Sequence, residues 1–328
     1  MLLVVYSHIQ VHGYHTPIHE IDSFNLLFVR VRMPLFFFIS GWVLYKSSRI
    51  WDMKTSLSFL RKKFKVQILS TVVFFALFLF LFHPNIHKSF GTFKAGYWFT
   101  YTLFFYFMFY VFSMNLVRWF NNKIKEDLVV IIIAILVHLI YLYALIVSHP
   151  QLERAFQVIG VTQWRFYVFF CFGTLVKKYY DSFISMTEKK WTMALIVSIF
   201  FLLNIFKPYV TIPHIDVVFA LLFGFLGITI ILTVFRKSEK WFAEDHRISH
   251  WLQYIGRHTL DIYLLHYFFL PRNLEMVGKF FQTHPSPTLE LFASIVLSLL
   301  VVIICLLTSK VLCTSPLLEE FLFGKKNK

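Results

Sequence analysis

The feature that leaves this chain the fewest choices is a series of apolar runs of about twenty residues, repeated along its whole length. A run of that length crosses the ~30 Å hydrocarbon core of a bilayer as one helix. In lipid a helix can satisfy every backbone hydrogen bond within its own segment. Hydrophobic residues make up 58% of the 328 positions, phenylalanine alone contributes 42, and only 15% are charged. Soluble domains average roughly 25% charged residues. Read run by run, the spans fall near 1–12, 30–47, 66–83, 96–118, 127–147, 163–178, 191–206, 215–235, 251–271 and 288–313. The expected fold class is all-α, a polytopic membrane protein of about ten transmembrane helices, taken as a single domain over 1–328. Pro84, Pro150, Pro208, Pro213, Pro285 and Pro287 fall between runs, where they suit helix ends and turns.

The net charge of +15 raises the question of nucleic acid, and the distribution of the charge answers against it. Lysine and arginine sit at helix ends on alternate loops, 21 on one side and nine on the other. Such asymmetry marks the richer side as cytoplasmic. The expected location is the cytoplasmic (inner) membrane, multi-pass, with both termini inside. Cys171, Cys305 and Cys313 all lie in apolar runs and read as small core residues rather than disulfides or metal ligands. No basic segment precedes the first apolar run, so a cleavable signal peptide is not expected. Twelve helical residues reach only ~18 Å, too short to cross. The first helix is therefore expected to continue upstream of Met1.

Titratable groups inside spans are costly in lipid and mark functional sites. His8 is the histidine within the apolar run of the first span, near its outer end, followed by His12, His15 and His19 with Glu20 and Asp22 close by. Three readings stand beside one another: a polar outer loop, a zinc site built on the i, i+4 pair His8 and His12, and a general base. A neutral imidazole in a semi-dry cavity accepts a hydroxyl proton near neutral pH. Arg30 and Arg32 at the outer end of the second span either snorkel or clamp an anion or hydroxyl. Pro34 is read as a first-turn proline, and Ser40-Gly41 as a site of close helix approach.

The run Arg61, Lys62, Lys63 and Lys65 opens the third span from the cytoplasm; it is either a topology signal or a cradle for phosphates. Tyr97-Trp98-Phe99 opens the fourth span, as an aromatic belt or with Trp98 stacked on a sugar. Thr259, Asp261 and His266 in the ninth span are expected to face the interior, with His258 and Asp261 paired at i, i+3. His138 reads as a packing or interhelical hydrogen-bond residue.

Val4-Val5-Tyr6-Ser7-His8, then Met33-Pro34-Leu35-Phe36-Phe37-Phe38-Ile39-Ser40-Gly41, then a basic start to the third span, Tyr97-Trp98-Phe99, and Ile255-Gly256-x-x-Thr259-Leu260-x-Ile262-Tyr263-Leu264-Leu265-His266, taken in that order, resemble acyltransferase family 3. The resemblance covers nearly the whole chain and rests on order and spacing. It implies an integral-membrane O-acyltransferase that takes an acyl group, typically acetyl, from cytoplasmic acyl-CoA and delivers it to a hydroxyl of a surface or lipid-linked glycan. It implies His8 as the essential first-span histidine, Pro34, Phe36, Ser40 and Gly41 as the second-span signature, and Trp98 and His266 as later landmarks. Two departures stand out. The family's first-span arginine, about eleven residues before the histidine, falls before Met1. The third-span Arg-x-x-Arg is met only by Lys62-Lys63-Phe64-Lys65, with Gln67 and Ser70 where Arg and Pro are more usual.

The expected site is thus His8 as catalytic base, with Arg61, Lys62, Lys63 and Lys65 on the donor phosphates and Arg30, Arg32, Trp98 and His266 toward the acceptor. Acyl-CoA is the expected donor; no metal and no nucleic acid are expected. Ser7 points away from His8 on a helix, which favours direct attack over a covalent intermediate. The rival functions are a transporter of a lipid-linked glycan or acyl donor and a non-catalytic membrane partner.

Overall fold

The computed structural model describes residues 1–15, 23–82, 89–120, 123–147, 149–206, 215–242 and 246–324, and the regular structure among them is entirely helical. His19, Glu20, Asp22, Pro84, Pro208 and Pro213 lie outside the described residues. In chain order the helices are α1 (Leu2–His8), α2 (Ser23–Leu44), α3 (Met53–Phe82), α4 (Trp98–Trp119), α5 (Glu126–Ile146), α6 (Pro150–Ile159), α7 (Val161–Lys178), α8 (Tyr180–Thr187), α9 (Lys190–Phe206), α10 (Ile215–Lys237), α11 (Arg247–Arg257), α12 (Thr259–Phe269), α13 (Glu275–Thr283), α14 (Pro287–Leu312) and α15 (Pro316–Phe323). Two stretches are wound as π-helix: Ile9–Gly13, directly after α1, and Phe64–Leu69 inside α3.

By length and composition α3, α4, α5, α10 and α14 can each cross a membrane, as can α6 with α7 and α8 with α9 if each bent pair is one span. Of the remaining expected spans, 1–12 falls on the short α1 and its π turn, 30–47 on the 22-residue α2, and 251–271 on α11 and α12, which break at His258. The chain is a multi-pass α-helical membrane protein. On α5, Val130, Ala134, Val137 and Tyr141 form a buried stripe. Ile132, Ile135, Leu136 and Leu139 on the other side are exposed. An apolar outer face with a buried seam at helical spacing is what hydrocarbon solvent requires.

The chain forms two compact units: Met1–Val29, Arg61–Phe104 and Glu244–Lys328 build one, and Arg30–Leu60 with Phe105–Ala243 build the other. In the second unit α2 and α7 meet backbone to backbone. A Cβ on Gly41 would lie 2.0 Å from the Phe170 carbonyl oxygen, and one on Gly173 would lie 2.0 Å from that of Phe38. Reciprocal glycines of this kind replace side-chain contact with close main-chain packing, and Ser40 turns its hydroxyl onto the Phe36 carbonyl at 2.9 Å. The second-span signature therefore has a packing explanation here. Pro34 is not a first-turn proline: α2 begins at Ser23, so Pro34 lies inside the helix and leaves the Arg30 carbonyl without its intrahelical donor. In the first unit the core joins α1, α3, α12, α14 and α15 through Val5, Ile9, Phe74, Ile262, Leu264, Val302, Cys305 and Phe323.

Candidate active site

His8 ends α1, and the π turn that follows keeps His12 on the same side, the two rings stacked at 5.5 Å. α12 supplies the opposing wall. His266 lies 5.3 Å from His8, ring centre to ring centre, and the Tyr267 phenol oxygen is 3.1 Å from His8 Nε2. His8 is half-buried, His12 exposed and His266 fully buried, so the cluster runs from an open edge to a dry interior.

The tautomer of His266 follows from its neighbours. Its Nδ1 is 2.7 Å from the Tyr263 carbonyl oxygen and 3.2 Å from that of Ile262. Carbonyl oxygens only accept, so Nδ1 carries the proton and Nε2 is a bare acceptor. That Nε2 is buried and finds no hydrogen-bond partner among the described residues.

The third wall is the turn ahead of α4. Lys94, Ala95 and Gly96 take positive φ in succession, at 44°, 48° and 98°. Such backbone is costly for the two non-glycine residues and persists only where surroundings over-determine it. Here Tyr263 holds it: the Tyr263 hydroxyl donates to the Gly96 carbonyl at 3.0 Å and accepts the Phe99 N–H at 3.1 Å. Tyr97, buried rather than belted at an interface, donates to the Leu264 carbonyl at 3.0 Å. A Cβ on Gly96 would stand 2.0–2.2 Å from the Tyr267 phenol, so glycine there is what lets that phenol reach His8. Lys94 is half-buried with its ammonium 4.7 Å from the Tyr101 ring, and burial pulls its pKa down to about 8.

The other anticipated residues fall as follows. Trp98 is half-buried at the start of α4, next to Tyr97. Arg61 and Lys62 are exposed, Lys63 is half-buried, and Lys65 is ion-paired with Glu320 of α15 at 2.5 Å. Any hold of Lys65 on a phosphate must compete with that carboxylate. Arg30 belongs to the second unit, where its guanidinium donates to the Asn204 side chain and lies 4.6 Å over the Phe223 ring; half-buried Arg32 is in the same unit. Asp261 accepts from His258 Nδ1 at 2.9 Å, as i, i+3 spacing predicts, and from Ser309 at 2.7 Å. Ser7 turns its hydroxyl to the Leu3 carbonyl at 3.1 Å. No group of three or more His, Cys, Asp or Glu among the described residues is placed to hold a metal ion, so the His8–His12 pair gains no third ligand there. Among the described residues none of Cys171, Cys305 and Cys313 is in a disulfide, and the first two are buried.

Sequence reasoning missed Tyr267 and Gly96. Tyr267 adjoins His266 in the chain, yet only the packing of α1 on α12 shows that the phenol, and not a serine, meets the imidazole.

Imidazole and phenol groups gathered within a multi-pass helical protein make this cluster the candidate site. The family model described as "Acyltransferase domain" matches residues 1–308, and the chain belongs to that family, acyltransferase family 3. It is a membrane acyltransferase. No curated protein and no solved structure matches it.

Proposed function

We propose that this acyltransferase moves an acyl group, acetyl in the first instance, from cytoplasmic acyl-CoA to a hydroxyl of an extracytoplasmic glycan, surface-borne or lipid-linked, with His8 as general base. The glycan oxygen attacks the thioester carbonyl, the C–O bond forms as the C–S bond breaks, and the hydroxyl proton passes to His8 and finally to the departing thiolate. The observation that carries this reading is the 3.1 Å contact between His8 Nε2 and the Tyr267 hydroxyl at the half-buried edge of the cluster. A base within ~2.6–3.2 Å of a hydroxyl has proton-transfer geometry. Trp98 and His266 face the acceptor in this reading. Arg30 and Arg32 are assigned to acceptor recognition on their outer position alone. Transfer of labelled acetyl from acetyl-CoA to an extracted surface glycan by the purified chain tests it; labelled acetate appearing only as free acid at the rate of buffer hydrolysis would refute it.

The same contact favours a second reading. A phenol against an imidazole is also a nucleophile–base pair, in which Tyr267 carries the acyl group between donor and acceptor. Intact-mass measurement of the chain after acetyl-CoA alone separates the two: a single acetyl adduct on Tyr267 means relay, and its absence during active turnover means direct attack.

Orientation belongs to the same proposal, with both termini and the 46–65 loop on the cytoplasmic side of the cytoplasmic membrane. The uneven basic charge supports it. A cysteine placed at Lys54 should resist impermeant reagents in intact cells and react once the membrane is opened; labelling from outside overturns the orientation. On the donor side, exchanging Lys62 and Lys63 for glutamate should raise the KM for acyl-CoA roughly tenfold and flatten its salt dependence. Unchanged KM in a correctly inserted variant would leave these lysines as topology signals only.

A further inference from the structure

Within α3, between the basic run and the level of His8, lie two polar side chains that the proposed chemistry does not use. Gln67 is 6% exposed and Ser70 is 0% exposed. The Gln67 Oε1 and the Ser70 Oγ find no hydrogen-bond partner among the described residues. Burying an amide or hydroxyl without a partner is unfavourable, and native proteins leave few such atoms. Both sit at the π-helical stretch Phe64–Leu69 or one residue beyond it, and π-bulges in membrane and soluble helices alike concentrate at functional sites. The neighbouring Thr71 is spent on Thr100 at 2.6 Å, pinning α3 to the first turn of α4 at this height.

Their height is informative. The Phe78 ring packs on the Tyr267 ring at 6.1 Å, so Phe78 marks the level of the imidazole cluster. Counting down the helix at 1.5 Å per residue, Ser70 lies ~12 Å and Gln67 ~16 Å below that level. The base, the attacking oxygen and the acyl carbon occupy roughly the first 6 Å. A ligand reaching from the lysines of the basic run to His8 has to span the height of these two atoms. An acyl-CoA presents there an arm of about a dozen bonds, roughly 15 Å extended, that carries two amides. An amide supplies an N–H for the Gln67 acceptor and a carbonyl for the Ser70 hydroxyl.

We infer that Gln67 and Ser70 form a subsite for the amide-bearing pantetheine arm of the acyl donor, separate from the lysines that take its phosphates. The inference rests on the reading of acyl-CoA as donor. The subsite holds the thioester at the depth of His8 and selects donors with an amide arm over simple acyl phosphates or acyl lipids.

The test measures binding of acetyl-CoA and of adenosine 3′,5′-bisphosphate, which shares the nucleotide and lacks the arm, to the purified full chain and to Gln67→Leu and Ser70→Ala. Each variant should lose roughly 3–10-fold in acetyl-CoA affinity, the effect of one neutral hydrogen bond. The bisphosphate affinity should stay put, and the melting temperature should hold or rise because an unpaired buried group has gone. Ser70→Ala removes one atom and keeps the test standing should Gln67→Leu not accumulate. Unchanged acetyl-CoA affinity in Ser70→Ala, or equal losses toward both ligands, would overturn the subsite while leaving the donor reading intact. A parent chain that bound neither ligand would remove the donor reading and the subsite with it.

Discussion

His8→Gln is expected to insert and fold as the parent does, to bind acyl-CoA with unchanged affinity, and to lose acyl transfer by roughly 10²–10⁴-fold, the usual contribution of a positioned base. A hydroxyl is a weak nucleophile until its proton has somewhere to go. Glutamine matches imidazole in size and hydrogen bonding but takes no proton near neutral pH. The contrast with its neighbours makes the result specific. His12 stacks on His8 at 5.5 Å at the exposed edge of the cluster, and His12→Gln should cost far less. His266 is fully buried on the inner side of the cluster, so His266→Gln should lower kcat through the cluster. The measurement is single-turnover acetyl transfer at saturating acceptor. If His8→Gln kept most of its activity there, the assignment would be wrong, and His266, whose bare Nε2 faces the same cluster, would take its place.

Gly96→Ala should be the most damaging small substitution outside the histidines. Its Cβ would enter the Tyr267 phenol at 2.0–2.2 Å. That phenol is boxed in by Tyr97, Phe78 and His8, at ring separations of 5.6, 6.1 and 5.0 Å. Relief must come by drawing the hydroxyl off His8. At φ 98° the alanine adds backbone strain of about 1–3 kcal/mol. Activity should fall roughly 10–100-fold, comparable to Tyr267→Phe, if the phenol orients or relays for the base. The double variant separates this route from general damage. If Gly96 acts through Tyr267, adding Gly96→Ala to Tyr267→Phe should change kcat little further, because both changes remove the same contact. Additive losses would show that the turn matters for some other reason. The melting temperature should drop for Gly96→Ala and stay near the parent value for Tyr267→Phe.

Much of this protein is written in local sequence. Hydrophobic runs of span length dictate helices because lipid offers no other partner to the backbone, and the expected spans fall largely on helices among the described residues, five of them long and apolar enough to cross a membrane, or up to seven if each bent pair is one span. His8 stands out because a titratable ring within an apolar run is costly without a purpose. The i, i+3 spacing of His258 and Asp261 is met by a 2.9 Å contact because helix geometry alone sets it. Other features depend on segments far apart in the chain. The Tyr267 hydroxyl reaches His8 across 259 positions, and no periodicity encodes which tyrosine of the many will do so. Lys65 reads as a phosphate ligand from its neighbours in the chain, and α15 brings Glu320 to it. Pro34 reads as a helix start because proline suits a first turn, while α2 had begun at Ser23. Hydropathy decides which residues enter the membrane; which imidazole meets which phenol, and which glycine makes room for it, is decided when helices pack side by side.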